Sequence, residues 1–329
     1  MSAVIACFNN KSGPGQTTLI YHLGHILAEL GHSVVLLDLD PQAALTAMCL
    51  SDEQQEDIWP DAPEHPRTVM GCLEPALRGQ ANIPPPVLID IADRLSLLPG
   101  DLSLSRFEDM LADAWSCALA GESSALTTLS AFHQIARHAA GQAEARFILV
   151  DVGATLGPMT RAALLAADHI LLPLAPDRFA IEGLRTLGPT LDRWRQGWAE
   201  RRACHPDVDA PQGWLNLLGY FVIQPPVRLD RPFAHPERWF GRIPEAYLQA
   251  AGGGAASPLP PEADPACMGI MRQAPGLMAL ALEAQKPMFL LRPADGALGA
   301  LMNAVAQSRE DFRRLAEALQ NRLNAAEHG

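Results

Sequence analysis

Residues 10–17 read Asn-Lys-Ser-Gly-Pro-Gly-Gln-Thr. Laid on the phosphate-loop pattern G-x-x-x-x-G-K-[ST], the run has Asn10 for the first glycine and Gln16 for the lysine. Its setting is still that of a phosphate site, because an apolar β-type run, Val4 to Phe8, precedes it and helical apolar spacing, Leu19 to Leu30, follows. At such a helix N-terminus the backbone N–H groups and the helix dipole can hold a phosphate. Gly13 and Gly15 supply the permissive backbone, and Thr17 offers a hydroxyl to Mg²⁺. The same residues also fit an ordinary Gly-Pro turn closed by a helix cap. Lys11 stands out for another reason: only Lys11 and Lys286 are lysines among the 25 basic side chains, so positive charge is otherwise carried by arginine.

The elements that would position these residues alternate along the chain. Gly31 ends the first helix as a C-cap would, and Ser33 to Leu37 (SVVLL) is a continuous apolar run suited to a strand buried on both faces. Further strands are expected at Leu95–Leu98, Arg146–Val150, His169–Leu172 and about 214–223. Helices are expected near 102–119, 123–140, 178–202 and 296–324. Strands alternating with helices indicate an α/β fold, a doubly wound, mostly parallel sheet with helices on both faces. One domain over residues 1–329 is expected, with surface insertions at the acidic, proline-bearing segment 51–66 and at 251–265 (AGGGAASPLPPEADP).

Three segments together resemble the ParA/MinD-like ATPases with a deviant Walker A loop, closest to ParA-like proteins. That family's loop reads K-G-G-x-G-K-[ST]-[ST]; here it is Lys11-Ser12-Gly13-Pro14-Gly15-Gln16-Thr17-Thr18. The family's D-x-D-P-Q appears as Asp38-Leu39-Asp40-Pro41-Gln42. The strand FILVD ends at Asp151, where the family has its Walker B aspartate, and residues 167–184 (ADHILLPLAPDRFAIEGL) are similar to the segment that follows in the family. The resemblance implies ATP and Mg²⁺ as ligands, held by residues 11–18. Thr17 and Asp151 would hold the metal with Asp38 assisting, Asp40 would position the attacking water, and Gln224 would lie on adenine. Lys11 matches the signature lysine that reaches across a nucleotide-sandwich homodimer to the partner's phosphates. Two departures stand out: Gln16 replaces the lysine that binds β- and γ-phosphate, and the family's D-T-P-P becomes Asp151-Val152-Gly153-Ala154. Weak hydrolysis is the expected consequence.

A formal net charge of −12 excludes long-range attraction of the whole molecule to nucleic acid or anionic lipid. Weak non-specific DNA binding would need local arginines, either Arg228, Arg231, Arg238 and Arg242 or Arg309, Arg313, Arg314 and Arg322, and both groups have acidic neighbours. The cysteines form no C-x-x-C pair, which fits reduced thiols in cytoplasm. Neither a secretion signal nor a membrane span is read from the chain. Phe312, Leu315, Leu319 and Leu323 make an apolar stripe on the terminal helix that suits packing on the sheet better than a membrane surface. The functional expectation is an ATP-dependent dimer that positions DNA or another cargo with a partner protein. The alternative is a degenerate scaffold that localises a secretion, polysaccharide or other machine.

Overall fold

The computed structural model describes residues 2–11, 15–62, 64–80, 82–224, 236–254 and 259–328. Its strands are β1 (Ala3–Cys7), β2 (Val34–Leu39), β3 (Ile89–Ala92), β4 (Leu95–Leu98), β5 (Phe147–Val152), β6 (His169–Leu174), β7 (Asn216–Gln224) and β8 (Cys267–Arg272). They form one sheet in the order β3-β4-β2-β5-β1-β6-β7-β8, in which only the β3–β4 pair is antiparallel. The three central strands are buried along their whole length because both faces are covered. Side chains alternate between two cores. Ala3, Ile5 and Cys7 pack toward the helices Gln16–Glu29 and Ala300–His328, and Val4, Ala6 and Phe8 toward Arg106–Leu119, Pro158–Ala166 and Arg178–Cys204.

The first βαβ unit forms as its sequence indicates. Gly31 adopts φ 92°, its N–H bonds Ala28 O at 2.9 Å, and the His32 N–H bonds Leu27 O at 3.2 Å, the paired closure of a helix by a left-handed residue. Gly24 lets this helix lie close on the sheet, since a Cβ there would sit 2.7 Å from Leu36 Cδ2. The apolar stripe of the terminal helix is consumed by the sheet: Phe312, Leu315, Leu319 and Leu323 are 1%, 0%, 0% and 2% exposed.

Several elements differ from expectation. The 51–66 segment carries a helix, Asp52–Ile58, closed by a reciprocal box between Ser51 and Gln54 that the proline content had hidden. The helix expected at 123–140 is split into Ser123–Leu129 and Ala131–Gln142 at Ser130, whose hydroxyl bonds Leu126 O. Short edge strands β3 and β8 were not expected; Asp90 interrupts the apolar residues of β3 and Gly269 sits inside β8, and neither strand is buried along its length.

One histidine ties the first helix to the chain's last third. His22 Nδ1–H donates to Thr18 O at 2.7 Å, Nε2 accepts from the Met288 N–H at 2.9 Å, and the ring stacks on Phe312 with centroids 4.8 Å apart. Both nitrogens are occupied only in the neutral tautomer. Burial lowers the His22 pKa to about 3, and burial likewise lowers that of its neighbour His25 to about 4. A histidine depressed on folding contributes stability that is complete above the unfolded value near 6.5 and is lost as pH falls toward the folded one. Stability measured by urea unfolding should therefore fall between pH 6.5 and 4 by about 1.4 kcal/mol per pH unit for each such histidine. His22→Asn should be less stable at pH 7 but show a shallower fall.

Candidate functional site

The parallel strands β1, β2, β5, β6 and β7 end at one edge of the sheet, where crossover topology leaves a crevice. Gly15 precedes the first helix at φ 78°, a left-handed conformation that its lack of a side chain permits, and Ile223 Cδ1 would be 3.3 Å from a Cβ there. Ser12, Gly13 and Pro14, expected to line a phosphate, lie outside the described residues. The loop before them is tied down. Asn9 donates to Pro173 O and accepts the Lys11 N–H at 3.0 Å, and Asn10 donates to Gly183 O at 3.3 Å.

Gln16 occupies the centre. Its Nε2 donates to Asp151 Oδ1 at 3.0 Å and to Val152 O, while its Oε1 accepts the Asn9 N–H at 3.1 Å. The amide thus joins the end of β1 to the end of β5, and both of its donor hydrogens are engaged with protein. Asp38 and Asp151 are adjacent in register on β2 and β5 and are both 0% exposed. Burial raises the pKa of Asp151 most, and the charge of Asp38 adds to this; hydrogen bonds from Thr17 and Gln16 act the other way. Asp38 is raised by burial too, against the hydrogen bonds of Thr46 and the Asp40 N–H.

Asp38 Oδ2 accepts the Thr46 hydroxyl at 2.7 Å and the Thr46 N–H at 2.9 Å, so this carboxylate also holds the first turn of helix Ala44–Cys49. The Thr46 oxygen in turn accepts the Gly100 N–H at 2.8 Å. Gly100 must be glycine, as a Cβ would lie 2.8 Å from Asp38 Cγ. Asp40 is half-buried, accepts the Gln42 N–H at 3.0 Å, and lies across from Gly153, which follows β5.

Asp151 Oδ2 is buried without a hydrogen-bond partner. An orphaned carboxylate oxygen beside the Thr17 hydroxyl is a donor set that suits Mg²⁺, directly or through its water. Thr18 and Gly15 line an apolar cavity of about 220 Å³ with Ile223 and Met271. Gln224 lines the adjoining cleft of about 590 Å³, and its carbonyl accepts the Gln273 N–H at 2.9 Å. Arg272, Gln273 and Ala274 line both spaces; with β8 unexpected, sequence reading could not bring them here. Thr46, Gly100 and Asp177 were missed for a different reason, since each acts through a contact distant in sequence. Lys11 ion-pairs with Asp177, and its ammonium lies 5.2 Å from the Phe179 ring centre.

The arginine groups are largely engaged. Arg309 pairs with Glu29 at 2.8 Å, Arg313 with Glu317 at 3.1 Å and Arg314 with Asp311 at 2.7 Å, while Arg322 donates to Pro265 O. Arg238 and Arg242 lie against Trp239; Arg228 and Arg231 are outside the described residues. No helix among the described residues is long and apolar enough to cross a membrane.

The sheet order, the strand-loop-helix with its deviant loop, and the carboxylates at the ends of β2 and β5 define the ParA/MinD-like P-loop ATPases. Residues 2–201 match the profile of the AAA domain family AAA_31, and the chain belongs to that family and to its ParA/Soj-like partition ATPases. It is 30% identical over 194 residues to the chromosome partitioning protein ParA of Caulobacter vibrioides, covering 58% of this chain and 63% of that one. It is 30% identical over 220 residues to the chromosome-partitioning ATPase Soj of Thermus thermophilus, covering 66% and 68%. The chain spans about half to two thirds of the length of several curated relatives it matches. Among solved structures, a protein of Corynebacterium diphtheriae has TM-score 0.70 at 22% identity over 98% of each chain. A putative plasmid partition protein of Borrelia burgdorferi bound to AMPPNP has TM-score 0.57 at 14% identity over 98% and 99%. At such identities the likeness is one of fold.

The Asp38–Thr46–Gly100 tie generates a stability prediction. Thr46→Val keeps the shape but removes the hydroxyl that serves Asp38 and leaves the Gly100 N–H unpaired, so chemical denaturation should show a loss of about 1–3 kcal/mol.

Proposed function

We propose that the chain is a single nucleotide-binding domain that binds ATP with Mg²⁺, pairs with a second copy around the nucleotide, and hydrolyses ATP slowly in positioning DNA or another cargo. The observation that carries this is the convergence of Gly15, Gln16, Thr17, Asp38, Asp40 and Asp151 at one sheet edge, with an uncharged amide in the lysine's place. Backbone donors at the N-terminus of helix Gln16–Glu29 remain for the phosphates, with Thr18 and Gln224 beside the space for sugar and base. When bound, Mg²⁺ would supply positive charge to the phosphate oxygens, with Thr17 and Asp151 as its holders and Asp38 near them. Asp40 is the group to orient the attacking water, and Lys11 the charge offered to the partner's nucleotide. The partition proteins among the relatives support a cargo role, and the named relative bound to AMPPNP supports the nucleotide.

Replacing a charge-assisted bond by a neutral one costs about 1.5–3 kcal/mol, roughly 10- to 150-fold. Slow turnover therefore follows from Gln16. Restoring Gln16→Lys should raise ATPase activity about 10-fold or more, and the gain should vanish when combined with Asp40→Ala or Lys11→Ala. An unchanged rate on a hydrolysing wild type would sink this account of the site. Absence of binding to folded protein at millimolar ATP, measured by calorimetry, would sink the nucleotide reading altogether.

A second reading, a scaffold without turnover, is favoured by one observation: both Nε2 hydrogens of Gln16 are already given to Asp151 and Val152. It gains if wild type and Gln16→Lys both bind ATP and neither hydrolyses it. In either reading the arginines with carboxylate partners argue for weak DNA binding that disappears steeply with salt.

A further inference from the structure

The ammonium of Lys11 is held by a carboxylate of its own chain. Asp177 follows β6 and divides its two oxygens between separate tasks. Oδ1 accepts the Ala180 N–H at 2.9 Å and so caps the helix Arg178–Cys204, while Oδ2 takes Lys11 Nζ. The pair is partly open to solvent, with side chains 37% and 33% exposed. Phe179, 68% exposed, lies alongside the ammonium and gives it a second, weaker attraction. The anchors on either side of Lys11 are firm: Asn9 is fixed to Pro173, and Asp177 is fixed to its helix.

We propose that Asp177 is a positioning residue for the nucleotide site, an internal counter-ion that keeps Lys11 docked against its own chain and that a phosphate must displace. The inference rests on the nucleotide reading above. An ammonium has three donors but all sit on one nitrogen, so a Lys11 side chain that reaches across to a partner's nucleotide must leave Asp177 on its own chain. Engagement of Lys11 with a partner's nucleotide is thus a competition with Asp177, and the cost of breaking the pair is subtracted from nucleotide affinity. The competition is mild because the pair is about a third exposed and solvent weakens it, so it sets a threshold without abolishing binding. Phosphate, with more negative charge than a carboxylate, is the ligand class that wins.

The test exploits the scarcity of lysine. With only Lys11 and Lys286 in the chain, limited acetylation followed by peptide mass spectrometry reads the two amines separately. Lys286, paired with Asp295 at 2.7 Å and 43% exposed, is the internal reference. Asp177→Ser removes the counter-ion but keeps an oxygen that caps the helix, so thermal unfolding should change little. The Lys11:Lys286 labelling ratio should rise about two- to five-fold in Asp177→Ser, and affinity for Mg²⁺·AMPPNP, by calorimetry, should rise by a similar factor. In a Lys11→Ala background the same substitution should leave that affinity unchanged. An unchanged labelling ratio in folded Asp177→Ser overturns the internal pair. A raised ratio without a gain in nucleotide affinity overturns the competition. Wild-type protein that binds no nucleotide overturns the reading beneath it, and the labelling ratio then still reports on the pair.

Discussion

Asp38 and Asp151 sit side by side in register at the ends of two central strands, both fully buried, and no group of opposite charge is hydrogen-bonded to either among the described residues. Much of the surrounding architecture manages that constraint with neutral groups. Gln16 and Thr17 address Asp151, and Thr46 and the Asp40 N–H address Asp38. Even the glycine at 100 follows from it, since a larger residue would collide with the carboxylate. Burying acids without a cation is costly unless they are protonated or joined by one. An edge built this way is most stable when something positive arrives.

That gives the glutamine at 16 a structural meaning. A lysine there would neutralise the carboxylates continuously. The amide instead stitches β1 to β5 and leaves one oxygen of Asp151 without a hydrogen-bond partner. Lys11, the one ammonium of the loop, is spent on Asp177 after β6, which β1 separates from β5 in the sheet. Charge at this site is therefore divided: acids in the middle, their natural partner parked at the side.

The sequence disclosed what burial dictates and missed what depends on neighbours. Strands β1, β2 and β5 were legible because burial on both faces demands unbroken apolar runs, and Gly31 and Gly15 because left-handed backbone demands glycine. Edge strands β3 and β8 are only partly buried and are broken by Asp90 and Gly269, and with β8 went the Arg272–Ala274 wall of the cleft. The motif residues Gln16, Asp38, Asp40 and Asp151 were found by type and order and do converge. Thr46 and Asp177 could not be singled out, as a threonine in a helix and an acid before one are unremarkable until the chain folds. For Asp177 the signal was present in the scarcity of lysine, which asks what holds the one at 11.

The terminal helix, finally, turns its apolar stripe inward and shows the solvent arginines that each sit within a few ångströms of an acid: Arg309 with Glu29, Arg313 with Glu317, Arg314 with Asp311. Such a surface is an array of small dipoles rather than a positive plate. A dipole's field falls off faster with distance than that of a monopole, and beyond roughly 8–10 Å in physiological salt little of either survives. Approaching molecules are neither drawn to nor driven from this flank until they touch it, so recognition there must be short-ranged and decided by shape.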